Sequence, residues 1–217
     1  TDRGRRVYLD GKDKLPSVTT ILSKTKVDSD GIKAWRERVG EAEAQRIMKE
    51  AAERGSVMHE MLERYVHTNN FDTPAHDAPI AHKMANLIIS KGFIYLDEIW
   101  GVEQNIAYPN EYAGTMDCVG VYRKKPTILD FKQTNKPKRE EWVEDYYLQL
   151  TAYICAHEKQ YGKIDGGTIL MASTGLVFQE FELSGSKLDE YKDKWWKRVE
   201  EFKTNHAQPR QESLQKV

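Results

Sequence analysis

The sequence predicts an α/β fold, a central mixed β-sheet flanked by helices with an N-terminal helical region. Three observations carry this. Apolar residues recur at helical spacing through the first part of the chain, change to strict alternation near residue 96, and return to helical spacing twice more. The alternating stretches form a group of three and a group of two, with a helix between them and another after, the order of an α/β sandwich around a mixed sheet. A chain of 217 residues with five Trp, eleven Tyr and six Phe can bury a sizeable core. One domain over residues 1–217 is expected: a mainly helical part at 1–95, an α/β core at 96–204 and a polar tail at 205–217.

Each element has its own signal. "RRVYLDGKDKLPSV" reads as a hairpin turning at Asp10–Gly11, and "SVTTILSKT" as a helix capped by Ser17. From Ile32 to Val66 the pattern is helical, with Trp35, Val39 and Ala42 on one stripe and Met48, Ala51, Gly55, Met58, Leu62 and Tyr65 on another. Gly40 divides the two helices. "HTNNFDTPAHDAP" is a loop before a third helix near Ile80–Lys91. Trp100, Val102, Gln104 and Ile106 then alternate on one strand face and leave Glu103 on the other; "YPNEYAG" is a turn. Thr115–Tyr122 and Thr127–Lys132 are strands joined by the tight "RKKP" connection. Trp142–Lys159 is helical, "GGTILMAST" and "GLVFQEFEL" pair around Thr174–Gly175, and Leu188, Tyr191, Trp195, Val199 and Phe202 mark the last helix.

The bulk numbers narrow the function classes. A formal charge of −1 gives no global basic signature, so any polyanion site must be a local patch. Cys118 and Cys155 suit a reducing compartment and are too few for a four-thiolate zinc site or iron–sulfur cluster. No apolar run reaches the ~18 residues that would read as a membrane span, and the basic start "TDRGRRVYLDGKDK" lacks the apolar stretch of a secretory signal.

Chemistry concentrates at "TILDFKQTNKPK". Asp130 and Lys132 are two residues apart on a strand, so their side chains share a face while Phe131 takes the other. An acid-x-Lys triplet alone carries little, since Asp10–Lys12, Glu190–Lys192 and Glu201–Lys203 repeat it in a turn or on a helix. Only Asp130 follows a second acidic strand, "YAGTMDCVGVY", whose Asp117 a hairpin would bring beside it. Two buried carboxylates repel unless a cation neutralises them, and Mg²⁺ or Mn²⁺ prefers such oxygen donors. Lys132 on the same face would then orient or help deprotonate an attacking water. From spacing alone the plainer reading, an ion pair at a strand end, stands ahead.

Taken together, "GTMD" and "ILDFK" resemble the two core motifs of the PD-(D/E)xK nuclease superfamily. "RGSVMHEMLE" with Gly55 and His59, Glu103 on the preceding strand, and "QLTAY" with Gln149 and Tyr153 resemble further motifs of its RecB-like branch. "LPSVTTIL", "MDCVGVY" and "DFKQTNKPK" resemble segments of the mitochondrial genome maintenance exonucleases and their phage relatives. The resemblance runs from about Pro16 to Phe202. It implies a restriction-endonuclease-like core and metal-dependent cleavage of DNA phosphodiesters, commonly from single-stranded ends. It assigns Asp117, Asp130 and the Phe131 carbonyl as ligands of Mg²⁺ or Mn²⁺, with His59 on the metal or a phosphate. Lys132 handles the water, Glu103 is a second-shell or additional ligand, and Gln149 and Tyr153 orient Lys132 and the scissile phosphate. No iron–sulfur cluster is expected.

For DNA, a basic cluster is expected around the site from Arg123, Lys124, Lys125, Lys136, Lys138 and Arg139, with Glu140, Glu141 and Glu144 following at once. The early helices add Trp35, Arg36 and Arg54, and Trp35 and Tyr65 are either base-stacking or core residues. The expectation is a monomeric DNA exonuclease acting on single-stranded DNA or flap ends in replication, recombination or DNA recycling, with a phage as a candidate source. A structure-specific endonuclease and a non-catalytic DNA-binding accessory are the alternatives. A bacterial or phage-infected cytoplasm is favoured, and a mitochondrial home is open by resemblance.

Overall fold

The change of period near residue 96 marks the first long strand of a five-stranded sheet. The computed structural model describes residues 7–10, 13–26, 30–68 and 79–206. The turn residue Gly11, most of the loop expected at 67–79 and all but two residues of the polar tail lie outside that description. The chain runs through β1 (Val7–Asp10), β2 (Asp13–Pro16), α1 (Val18–Lys24), α2 (Asp30–Val39), α3 (Glu41–Thr68) and α4 (Pro79–Lys91). It continues with β3 (Leu96–Tyr108), β4 (Tyr112–Tyr122), β5 (Lys125–Thr134), α5 (Glu144–Gln160), β6 (Gly166–Ser173), β7 (Phe178–Ser184) and α6 (Gly185–His206). The first two strands pair as the expected small hairpin. Ser17 caps α1 by accepting from the Thr20 amide at 3.0 Å, and Gly40, at φ +84°, separates α2 from α3.

The large sheet has the order β3-β4-β5-β6-β7. Its pairs are antiparallel except β5/β6, which α5 joins as a crossover. The sheet is therefore mixed, as expected. One face is covered by α1, α5 and α6, which bury Ile128, Ile169, Met171 and Trp195. The other is covered by α3 and α4 over Leu129, Phe131, Leu170 and Cys118. Alternation along β5 thus holds: Leu129 and Phe131 face α3–α4, and Asp130 and Lys132 face α5. The "RKKP" connection is a two-residue turn in which Arg123 and Lys124 both have positive φ, matching the twist of the strands it joins.

Four expectations need correction. The turn at "YPNEYAG" is confined to residues 109–111, because Tyr112 and Ala113 already pair with Tyr108 and Ala107, and the Tyr112 ring is buried edge-on against Trp195 at 5.0 Å. The face shared by Trp100, Val102, Gln104 and Ile106 does not exist as such. Val102 packs toward α3–α4 and Ile106 toward α5, since Glu103 between them takes φ +48° and the pleat slips there; Trp100 is exposed. Met48 is exposed because the N-terminal half of α3 reaches past the sheet and buries only Ala44. Trp142 lies in a separate 3-10 turn, Glu140–Trp142, before α5 begins. Among the described residues no helix is long and apolar enough to cross a membrane.

Candidate active site

β4 and β5 are paired from the hairpin turn as far as Cys118 and Leu129, and then diverge. Asp117 stands at the fork. Its Oδ2 accepts the Phe131 amide at 2.6 Å, which satisfies a donor that strand pairing no longer reaches. The opening beyond is a cleft of about 570 Å³. Its walls are α3 through Gly55 and His59, the fork strands through Gly114, Thr115, Asp117 and Lys132, α5 through Tyr146, Gln149 and Tyr153, and the start of α1. Residues far apart in sequence, His59, Glu103, Asp117, Phe131, Lys132, Gln149 and Tyr153, thus line one cavity.

The charged groups divide into two sets. Lys132 Nζ lies astride the Asp130 carboxylate, donating to Oδ1 at 2.7 Å and standing 2.6 Å from Oδ2 without hydrogen-bond alignment. Asp130 is 1% exposed, and its Oδ2 has no directed hydrogen bond. The second set is His59, Glu103 and Asp117, whose ligand atoms all lie within 4.8 Å of one another. His59 Nε2 is 2.8 Å from the Phe131 carbonyl, an acceptor only, so that nitrogen carries a proton and donates it. Nδ1 then faces Asp117 Oδ1 at 3.7 Å and Glu103 Oε1 at 3.9 Å, too far for hydrogen bonds. In the neutral ring this turns a lone pair toward two carboxylates. A proton on Nδ1 or a cation among the three groups relieves the conflict.

The electrostatics agree. Burial first, and then the charge of Asp130, push the Asp117 carboxyl up to about 6. Burial works against the His59 imidazolium, but Glu103, Asp117 and Asp130 outweigh it and raise the pKa above the ordinary histidine value. Burial also opposes the Lys132 ammonium, and Asp130 and Asp117 more than compensate, so its pKa is raised. Lys132 is therefore a cationic donor at neutral pH. Two carboxylates with one imidazole, one of the carboxyls lifted by burial and by Asp130, make a donor set that fits a hard divalent cation such as Mg²⁺ or Mn²⁺.

The glycine of "GTMD" has a packing reason. A Cβ on Gly114 would come within 2.5 Å of the Tyr153 ring, so only glycine lets α5 seat that ring against the strand. Gln149 Nε2 donates to the Tyr153 hydroxyl at 3.0 Å. Gly55 is less demanding, since its Cβ would meet Gln133 at an ordinary 3.5 Å.

The expected DNA contacts are scattered. Trp35 is half-buried and Arg36 exposed on α2; Arg54 donates to Gln133 at 2.9 Å and also to Asn135, tying α3 to the end of β5. Lys136, Lys138 and Arg139 follow β5. None of these six lines the cleft. The expected cluster with Arg123, Lys124 and Lys125 does not form around the site. That turn lies at the other end of β5, about 17 Å from Asp130 at ~3.3 Å per residue. Arg123 there pairs with Glu180 at 2.9 Å and Lys124 with Asp97. Tyr65 packs against Phe93, at 6.0 Å between rings, as a core neighbour. Tyr146, which places its ring 5.2 Å from Lys132 Nζ, escaped notice, although it is i−3 from Gln149 and i−7 from Tyr153.

The fold and cleft together define an α/β protein with a carboxylate, lysine and histidine site at the fork of a mixed sheet. Its relatives are consistent with one chemistry. Over 208 residues the chain is 29% identical to Mitochondrial genome maintenance exonuclease 1 of Mus musculus, across 88% of this chain and 60% of that protein. The Homo sapiens protein of the same name is 26% identical over 208 residues, covering 87% and 58%. The Xenopus tropicalis one is 32% identical over 100 residues, covering 43% and 28%. The chain thus spans three fifths or less of the curated relatives it matches. No family model matches it.

Proposed function

We propose that this protein is a divalent-metal-dependent nuclease that hydrolyses DNA phosphodiester bonds, acting as an exonuclease on single-stranded DNA or flap ends. The observation that carries the metal is the inward-facing Nδ1 of His59, set between Asp117 and Glu103 with its other nitrogen already bonded. The relatives' name supports cleavage from ends in genome maintenance; a place in DNA replication, recombination or recycling is our reading. His59, Glu103 and Asp117 would hold Mg²⁺ or Mn²⁺, with Asp130 across the fork as a further oxygen; the Phe131 carbonyl, which accepts from Nε2 on the far side of the ring, would fix the imidazole rather than join the ligands. When bound, such an ion neutralises phosphate charge and lowers the pKa of water.

The remaining roles belong to the chain. Lys132 is a donor, not a base: Asp130 fixes its direction, and its protons orient the attacking water or meet the charge that develops on the phosphate. Gln149 and Tyr153 stiffen each other and offer polar groups from the opposite wall, where they hold the phosphate in line. Among the described residues no element reads as a major-groove helix, so recognition of backbone and strand shape is the expected mode. A reducing setting, whether a bacterial or phage-infected cytoplasm or the mitochondrion of the relatives' name, suits buried Cys118 and Cys155, whose thiol pKa values burial pushes up to about 12 and about 11.

The test is a time course on end-labelled single-stranded DNA with Mg²⁺, Mn²⁺ or EDTA, beside a closed circular strand. Lys132→Gln is the control, because its amide still donates toward buried Asp130. Metal-dependent loss of the linear strand, with the circle intact and the variant inactive, is the expected result. Cutting of the circle would make the enzyme an endonuclease, and no cutting with any metal would end the catalytic reading.

A further inference from the structure

The α5 wall of the cleft continues outward to a residue that no part of the proposed chemistry uses. Tyr153, Gln149 and Tyr146 lie at spacings of four and three, one face of a helix. One more step of four reaches Trp142, in the 3-10 turn that leads into α5. Exposure rises along the stripe, from 3% at Tyr153 to 56% at Trp142. The indole is thus a large apolar ring open to solvent at the N-terminal end of the helix that walls the cleft. Arg139 lies over it, with the guanidinium carbon 5.2 Å from the ring, and also stands 3.7 Å from Glu141.

The neighbouring charges favour an anionic occupant. Glu140 is engaged by Lys187 and Tyr147, and Glu144 lies 3.5 Å from Lys194. Among the described residues Lys136 and Lys138, on the segment leading from β5 to this turn, form no ion pair. An exposed indole backed by an arginine, beside lysines that pair with no acid among the described residues, matches the pairing of stacking platform and backbone charge that holds single strands without regard to sequence.

We infer that Trp142 is a base-stacking subsite for a single-stranded nucleic acid, engaging a nucleotide outside the cleft on the strand held at Lys132. The inference rests on the proposed nuclease reading and deepens it. Trp142 lies beyond the first residue of α5, which is itself about 7.5 Å from Gln149 along the axis at ~1.5 Å per residue. A strand must therefore extend at least that far beyond the scissile bond to feel it.

The experiment is fluorescence-anisotropy binding of labelled oligothymidylates in EDTA, with wild type, Trp142→Ala and Trp142→Phe. Oligonucleotides carrying an abasic site at each of the first six positions serve as probes, and thermal melts confirm folding. Loss of one stacked base weakens binding by roughly tenfold. Trp142→Ala should show that loss, Trp142→Phe should recover most of it, and the salt dependence should be unchanged because no charge is removed. One abasic position should cost wild type the same factor and cost Trp142→Ala nothing further. Wild-type affinity in Trp142→Ala, or equal abasic penalties in both proteins, would overturn the inference while leaving the nuclease reading intact. If wild type neither binds nor cuts DNA with any metal, both fall together.

Discussion

Replacing Asp117 by Asn should stabilise the metal-free protein while abolishing cleavage. Its carboxyl is lifted from 3.8 to about 6, first by burial and then by Asp130. A group whose folded pKa lies above its unfolded value favours the fold while protonated. That contribution is complete below about pH 3.8 and is lost as pH rises through about 6. About two units at 1.36 kcal/mol each set an upper bound near 3 kcal/mol of destabilisation at neutral pH. Asparagine keeps the acceptor for the Phe131 amide and removes the charge, but its own amide must also be buried, so about 1–3 kcal/mol is the expected gain. For a chain of this length that is roughly 3–10 °C in Tm. His59 acts in the same direction, since its raised pKa gives stability present below 6.5 and lost above. The assay is a series of thermal melts in EDTA from pH 4 to pH 8.5 for both proteins. The difference should be near zero at pH 4 and reach its plateau above pH 6. Saturating Mg²⁺ or Mn²⁺ should then narrow it, because metal at about 100 times Kd adds ~2.7 kcal/mol to a competent site. A variant no more stable than wild type at pH 8, or a gain equally large at pH 4, would refute the reasoning.

Other perturbations follow from the same geometry. Lys132→Ala strands the buried Asp130 carboxylate and should destabilise toward the lower end of about 3–5 kcal/mol, whereas Lys132→Ala with Asp130→Asn should recover most of that without recovering cleavage; denaturant melts and the nuclease time course check both. Gly114→Ala drives a methyl into the Tyr153 ring, costing about 1–3 kcal/mol and lowering kcat through the displaced Gln149–Tyr153 pair, read by melting and single-turnover cleavage. Glu103→Gly relieves the left-handed backbone at φ +48° and should leave the protein as stable or about 1 kcal/mol more stable, yet remove part of the metal-induced rise in Tm.

The parts of the site legible in sequence are those that a rigid period transmits. A strand's period of two admits one arrangement of Asp130, Phe131 and Lys132, and the structure shows it. The short "RKKP" turn fixes the register that brings Asp117 to Phe131. Glu103 marks where such inference stops. Nothing in "WGVEQNI" announces a left-handed residue, yet that one dihedral carries Val102 and Ile106 to opposite faces and leaves the Glu103 carboxylate 3.9 Å from His59. The sequence pattern misled because a strained residue is held by tertiary contacts rather than by local preference.

Helix α5 shows the opposite failure. Its period put Gln149 and Tyr153 on one face correctly, and the same arithmetic places Tyr146 there too, with Trp142 just beyond the start of the helix. They were missed because nearly every side of this helix is apolar or aromatic, so hydrophobicity does not reveal which side meets solvent. The basic turn fails for a third reason. Arg123 to Lys125 sit close to Asp130 in sequence, but an extended strand converts five residues into about 17 Å, while α3, some seventy residues away, supplies His59 at hydrogen-bond distance from Phe131. Charge proximity must be counted in ångströms along the element that carries it.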